Sequence, residues 1–390
     1  MARVLHLYNI LGASVERFSF DTTLALAQCG HDITLGYETQ SEECPPTVLP
    51  RIQLQRIHVD PTDDVDAQMH DIGNDPADPQ MRRLLDDRFD LIHGHFGPRI
   101  LQGAAWLLRQ TPMVVSIHGY DASRLLHDST WIARYRWAAQ HGATFVTVNR
   151  AQRDMLIDLG IDAAHARYIP VGLDIAGWPY QPSPAPTPPR FLFVGRLTPK
   201  KAPDVLLAAI AALRDRHQIC AQLTFIGDGP LADDLNQIVE QQALQDQITF
   251  RGHVPREHLA QHLQHATALI MPSVTAPDGD TEGMPRVLLE AQACGLPCIT
   301  TDHAGNPDAI PPEGHPFIVP ENDIRALAES MRAMIALSPT QRDNLAAVGR
   351  QRVEQHFNLN QSIDQYHALY TELTDPHPHA VAAAASAAPG

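Results

Sequence analysis

The sequence predicts an α/β protein made of two doubly wound, parallel-sheet domains facing a central cleft. Three observations carry that expectation. Short apolar runs alternate with helical stretches at roughly 25–30-residue intervals, the rhythm of βαβ units. In mid-chain, Trp178 to Pro189 holds six prolines in twelve residues, too many for a helix or a central strand, and reads as a semi-rigid linker. After it the alternation restarts at Phe191. A chain of 390 residues also exceeds one ordinary core and suits two.

In order, the first half reads as a strand at 3–8, a loop with Gly12 and Ser14-Val-Glu-Arg-Phe18, and a helix running to Gln28 and Gly30. Strands follow near 32–37 and 52–59. The acidic stretch 60–78 reads as a surface loop. Residues 91–97 form a strand entering a Gly-containing turn, and 113–117 a strand ending at His118-Gly-Tyr-Asp121. Strands at 145–148 and 168–170 complete this half. The second half predicts strands at 191–195, 223–227, 248–250, 268–271, 298–301 and 317–319, with helices at 203–214, 286–294, 323–337, 341–357 and 361–374. The expected domains are 1–177 and 190–357, joined by the linker 178–189. A helix at 358–375 packs back on the first domain, and 376–390 forms a disordered tail.

Composition narrows the class. A net charge of −16 argues against a nucleic-acid partner, which needs a basic footprint, but leaves room for a small basic face touching anionic lipid. The opening residues lack the apolar core of a signal peptide, and no run of 18 apolar residues occurs. Five cysteines, at 29, 44, 220, 294 and 298, form no CxxC pair and read as reduced thiols. The expected location is cytoplasmic, with peripheral contact at the inner face of the plasma membrane. No GxGxxG, GxSxG or HExxH pattern supports a dinucleotide, hydrolase or protease reading. The chain has 27 Arg but only two Lys, the adjacent Lys200 and Lys201. A compact ammonium suits a tight phosphate site in a way that Arg does not.

Two motifs carry chemistry. In Asp280-Thr-Glu-Gly-Met-Pro-Arg-Val-Leu-Leu-Glu290, Pro285 suits a helix's first turn, Gly295 its C′ position and Pro297 a stop. The helix start is an anion site. Glu282 and Glu290, about 12 Å apart along a helix axis, are acceptors for sugar hydroxyls. Together they suit a molecule with hydroxyls at both ends and phosphates between, a nucleotide-sugar. Alone, such a pair is more often surface decoration. The second motif, Gly195-Arg-Leu-Thr-Pro-Lys-Lys-Ala-Pro203, brings Arg196 and Lys201 to a strand's carboxyl end, where a departing diphosphate could sit. His118 could bond a sugar hydroxyl from the opposite wall. His93 and His95 could be metal ligands, but no third ligand is evident and metal is rejected. Asp278-Gly-Asp280 reads as part of the loop leading to Glu282 and not as a metal site.

With these residues in view, the chain resembles the retaining glycosyltransferases of family 4, whose GT-B fold has two Rossmann-like domains. The resemblance covers nearly the whole chain. It is most specific where Gly195-Arg-Leu-Thr-Pro-Lys-Lys, Phe225-Ile-Gly-Asp-Gly-Pro230, Phe250-Arg-Gly-His-Val254 and the E-x7-E segment Glu282–Glu290 fall in family order. It implies that Arg196 and Lys201 bind the diphosphate beside Gly195. Glu282 binds the donor sugar with Gly283, Met284 and Pro285 alongside, and Glu290 holds the ribose. Gly252, His253 and Val254 lie beside the base, His118 contacts the transferred sugar, and Gly12 approaches phosphate or acceptor. It further implies a nucleoside-diphosphate hexose donor, UDP favoured and GDP-mannose possible, a lipid-linked or oligosaccharide acceptor, and no cofactor or metal.

Lys-Lys-Ala-Pro203, Asp-Gly-Asp-Thr-Glu-Gly-Met-Pro285 and His-Gly-Tyr-Asp121, with Glu-Arg-Phe near residue 17, resemble the colanic acid and amylovoran type of exopolysaccharide transferase. Departures are Ala202 where the family has Gly, a single Gly at position 12, and Asp308 in place of Glu. The rival readings are a nucleotide-sugar epimerase or hydrolase on the same fold and a non-catalytic sugar-binding module.

Overall fold

A computed structural model describes residues 1–12, 17–182 and 184–375. Of the expected loop from Gly12 to Phe18, residues 13–16 lie outside the described residues and Arg17 and Phe18 already belong to a helix; the expected tail at 376–390 also lies outside them. The chain forms two compact units, one from Met1 to Gly172 together with the chain from Asn360 onward, the other from Leu173 to Leu359.

The first unit is built on a seven-stranded sheet. Its strands are β1 (Arg3–Leu11), β2 (Asp32–Gln40), β3 (Arg51–Gln53), β4 (Leu91–His95), β5 (Met113–Ile117), β6 (Ala143–Thr147) and β7 (Ala166–Tyr168), in the order β3-β2-β1-β4-β5-β6-β7 with parallel pairing. The inner strands are covered on both faces, so they are almost uniformly apolar; all five residues of β5 and of β6 are buried. Helices α1 (Arg17–Gln28), α2 (Val65–Asn74), α3 (Pro79–Asp86), α4 (Ile100–Leu107), α5 (Ser129–Gln140) and α6 (Arg150–Asp158) intervene. A core of Leu5, Ile92, Val115 and Phe145 packs against Met69, Ile100, Trp106 and Tyr135.

The second unit carries β8 (Arg190–Val194), β9 (Gln222–Ile226), β10 (Ile248–Phe250), β11 (Ala268–Met271), β12 (Cys298–Thr301) and β13 (Ile318–Val319). These form a parallel sheet ordered β10-β9-β8-β11-β12-β13. Between and after them come α7 (Pro203–His217), α8 (Ala232–Gln241), α9 (Arg256–Gln264), α10 (Arg286–Ala293), α11 (Asn306–Ala309), α12 (Ile324–Ile335) and α13 (Pro339–His356). Phe193, Phe225 and Ile270 meet Leu206 and Ile210 of α7 and Met331 of α12 in its core. The last helix, α14 (Leu359–Thr374), lies with the first unit from Asn360 on. Leu173 N–H donates to the Phe357 carbonyl at 2.7 Å and Leu359 N–H to the Leu173 carbonyl at 3.0 Å. The second unit's chain therefore enters and leaves side by side.

Three expectations need correction. The strand expected at 52–59 stops after Gln53, at the sheet's edge, because Gln55 N–H goes to the Asp78 carboxylate instead of a ladder. The acidic stretch expected to be loop contains α2, whose N-cap Asp64 accepts from Ala67 N–H. Asp78 likewise caps α3. Carboxylates were read as solvent-loving when they serve as helix caps. Finally, the chain passes between units at Gly172–Leu173, ahead of the proline run. That run lies on the second unit. Trp178 is buried and its carbonyl accepts from Arg350 at 2.8 Å, while Gln181 N–H donates to the Cys294 carbonyl at 3.2 Å. A stiff chain with few internal bonds gains by laying its aromatics on a neighbour.

Candidate active site

The second unit assembles its polar groups at the carboxyl ends of its strands, where ligands sit in open α/β sheets. The loops after β8, β9 and β10 are stitched by backbone. Gly195 N–H donates to the Ile226 carbonyl at 2.9 Å, and Gly227 N–H to the Gly252 carbonyl at 2.8 Å. Gly227 has φ +123°, and a Cβ there would collide with the Gly195 carbonyl, so only glycine permits this approach. The stitching leaves Arg196 and His253 exposed and Val254 half-buried along one rim.

Both lysines grip the loop before α10. Lys201 Nζ lies 2.9 Å from Glu282 Oε1. Lys200 Nζ reaches Asp280 at 3.1 Å and the Thr281 carbonyl at 3.3 Å. The loop after β8 and the glutamate segment therefore converge, as the sequence led us to expect. Pro285 is the N-cap residue with extended ψ, one step before the expected first turn. α10 begins at Arg286, so the Glu282–Glu290 spacing is only partly helical. Its far end closes as expected: Gly295, at φ +83°, donates to Gln292 and Leu296 to Ala291, the paired bonds of a Schellman motif.

The two glutamates differ electrostatically. Burial pushes the Glu282 carboxyl up, but Lys201, then Lys200 and the Lys201 hydrogen bond, outweigh it and hold the group below its ordinary value. Glu290 is raised by burial, which Arg286 and Arg256, at 3.9 and 3.7 Å, offset only in part. Gly283, Met284 and Pro285 are buried between them.

The first unit's strand ends carry a different chemistry. His118 follows β5 with both ring nitrogens shielded and without a partner. Its edge contacts are Phe18 at 4.6 Å and Phe96 at 4.7 Å, and burial drops its pKa to about 3. Asp121 accepts from the N–H groups of His118, Gly119 and Gly97. Burial raises Asp121 to about 6 despite those bonds. A pocket beside His118 is lined by Phe18, Thr22, His95, Val148, Ser362 and Tyr366, among others. Gly12, at φ +73°, ends β1 where a Cβ would come within 2.6 Å of Cys44; close packing is reason enough for glycine there.

His93 and His95 do have a third imidazole near them. β1 pairs with β4 in register His6↔His93, and one ligand nitrogen from each of His6, His93 and His95 lies within 4.8 Å of the others. The sequence missed it because strand pairing, not sequence spacing, supplies His6. Three neutral imidazoles are chemically competent to hold a transition metal. Their nitrogens are largely engaged, however: His6 Nδ1 with His95 Nε2 at 3.0 Å and Thr23 at 2.9 Å, His93 with Tyr370 at 2.5 Å and Ser116 at 2.7 Å. His95 Nδ1 is left unpartnered. Burial lowers the pKa of all three, so the cluster is a neutral hydrogen-bonded network.

Residues 15–176 match the family described as Glycosyltransferase Family 4, and residues 174–352 that described as Glycosyl transferases group 1. The chain belongs to the family 4 glycosyltransferases. This glycosyltransferase is 29% identical over 277 residues to WcaL of Escherichia coli, named for colanic acid biosynthesis, across 70% of its own length and 68% of the relative's. It is 34% identical over 190 residues to the amylovoran biosynthesis glycosyltransferase AmsK of Erwinia amylovora, but that match spans only 48% of the chain and 44% of AmsK. Its fold is that of sucrose-phosphate synthase from Thermosynechococcus elongatus, at TM-score 0.74 and 22% identity over 95% and 99% of the two chains. HepE of Anabaena, solved with UDP, aligns at TM-score 0.73 and 17% identity over 95% and 100%. No helix among the described residues is long and apolar enough to cross a membrane.

Within this glycosyltransferase, the sequence points to Arg196, Lys201, Glu282 and Glu290, of which Lys201 and Glu282 meet, but not to what surrounds them. Asp280 as the partner of Lys200, Arg286 and Arg256 beside Glu290, and His303 and Glu321 behind Glu282 all went unremarked. His303 stands two residues past the end of β12, so the strand-end rule that draws attention to His118 also reaches it.

Proposed function

We propose that the enzyme transfers a hexose, with retention, from a nucleoside diphosphate sugar to a hydroxyl of a lipid-linked or oligosaccharide acceptor in exopolysaccharide synthesis. The observation that carries this is the Lys201–Glu282 contact at 2.9 Å, on the loop that also bears the exposed Arg196. It joins a diphosphate-binding loop to a carboxylate held ionised. The bond from the anomeric carbon to the β-phosphate oxygen breaks, and its electrons go to the diphosphate. Arg196 and Lys201 stabilise that charge, a contribution of about 3 kcal/mol for one well-placed donor. The acceptor oxygen attacks the same face, and its proton passes to the departing phosphate, with no metal in the step. Glu282 holds the donor sugar, Glu290 the ribose, and Gly252 to Val254 flank the base.

The first unit supplies acceptor binding and His118, a neutral imidazole suited to a sugar hydroxyl. The names of WcaL and AmsK support the exopolysaccharide setting, and HepE with UDP or UDP-glucose supports a uridine donor. A mycobacterial relative, 28% identical over 199 residues and named as GDP-mannose-dependent, makes guanosine the donor to test beside it. We place the enzyme on the cytoplasmic side, in peripheral contact with the membrane.

The test is incubation with UDP-, GDP- and ADP-sugars, with and without oligosaccharide acceptors, read by NMR of the new anomeric centre. Retained configuration in an acceptor-dependent product, undiminished by EDTA, is expected. Turnover without acceptor indicates an epimerase or hydrolase and overturns the reading. Binding of sugar without nucleotide dependence indicates a non-catalytic module and does the same.

A further inference from the structure

The loop bearing Glu282 is held from behind as well as from the front. β12 and β13 pair in parallel, with Thr301 opposite Val319, so the loops that follow leave the sheet together. The first carries His303 and the second Glu321. Glu282 N–H donates to His303 Nε2 at 3.0 Å, and His303 Nδ1 lies 2.6 Å from Glu321 Oε1. The remaining Glu321 oxygen accepts from Thr275 N–H at 2.7 Å, and Glu321 N–H donates to Asp302 at 3.2 Å.

These bonds fix the imidazole's protons. An N–H cannot donate to another N–H, so Nε2 must be bare and Nδ1 must carry the hydrogen, which Glu321 accepts. The ring is buried and has no room to offer its other edge. A second proton would place a donor against the Glu282 amide and break the bond. The charged groups around the ring are Glu321 and Asp302 behind it, and Glu282 with Lys201 and Lys200 in front.

We propose that His303 and Glu321 are positioning residues for Glu282, and that only the Nδ1–H tautomer of neutral His303 holds the donor-sugar carboxylate in place. This rests on the reading of Glu282 as the donor-sugar ligand, but the clamp itself can be measured without activity.

The experiment uses the full chain with H303Q, H303F and E321Q. A glutamine can accept from Glu282 N–H and donate to Glu321; a phenylalanine can do neither. Hydrogen exchange at the Glu282 segment is read by mass spectrometry, alongside kcat and KM for a UDP-sugar. H303Q should keep the wild-type protection of that segment and rescue most of kcat. H303F should lose protection and lower kcat by up to about a hundredfold, the scale of a 1 Å misplacement, with UDP binding little changed. E321Q should fall between, since its amide oxygen cannot accept every bond the carboxylate does. Unchanged exchange at the Glu282 segment in H303F, or a loss of protection in H303Q as large as in H303F, overturns the proposal. Altered exchange with unchanged kcat would instead leave the clamp standing and remove Glu282 from the reaction.

Discussion

The two units carry similar parallel sheets but differently weighted polar interiors. At the strand ends of the second, charges are paired and most are buried or half-buried: Lys201 with Glu282, Lys200 with Asp280, Arg286 and the exposed Arg256 with Glu290. In the first, one buried ion pair, Arg99 with Glu38 at 2.6 Å, is outnumbered by imidazoles that burial keeps neutral, joined to phenol and hydroxyl groups. Paired charges are the means of binding a group whose own charge changes. Neutral rings can donate to or accept from hydroxyls without a counter-ion. On the function proposed above, the difference teaches that strand-end charge suits one sheet to phosphate and neutral rings suit the other to hydroxyl.

Acid tests that contrast most severely. Between pH 6.5 and about 3, an unfolded imidazole takes a proton that folded His6 or His118 refuses. The unfolded chain then binds more protons, and folding weakens by about 1.4 kcal/mol per pH unit for each such ring. Asp121, raised to about 6, opposes one ring between pH 6 and 4, but His93 and His95 are lowered as well and the rings prevail. In the second unit the lowered Glu282 loses its contribution only below its ordinary value of 4.5, and the raised Glu290 works the other way. The first unit should therefore unfold first as pH falls through 6 to 4. Fluorescence of Trp106, Trp131 and Trp137, with hydrogen exchange resolved by unit, reads this out. Loss of the second unit first, or of both together, would break the comparison.

Removing one member of a charged pair is the next largest effect. Lys201→Ala leaves Glu282 buried without its main partner and should cost about 3–5 kcal/mol in urea unfolding, as well as turnover. Arg196→Ala separates the two roles. The side chain is exposed, so stability should hold within about 0.5 kcal/mol while kcat drops about 100- to 1000-fold and donor KM moves little. Equal turnover in Arg196→Ala would remove the leaving-group role. The smallest effect sharpens the backbone side of the picture. Ala202 sits at φ +45°, ψ +50°, a conformation costing a non-glycine residue about 1–2 kcal/mol. Its buried methyl returns about 0.8. Ala202→Gly should thus raise stability by under about 1 kcal/mol, measurable as a small upward shift in the denaturant midpoint.

How much of this was legible in the sequence follows from what each feature depends on. The strands announced themselves because buried parallel strands are apolar runs, and the E-x7-E and Lys-Lys segments because their spacing is local. Sequence reading failed where a residue's role is set by a distant partner. Asp64 and Asp78 read as loop until the helices they cap are seen. His6 is 87 residues from His93, and only strand register makes them neighbours. His303 gains meaning from Glu282 and Glu321, each on a different loop. The proline run was recognised as stiff, but stiffness alone does not say that Trp178 will be buried.

The paired bonds of Leu173 with Phe357 and Leu359 make residues 173–359 a cassette with both ends at one spot. Exchanging that cassette between relatives would cut the chain at two adjacent points and leave each sheet whole. Chimeras of this kind would test the proposed division of labour, in which the cassette sets donor choice and the rest of the chain acceptor choice.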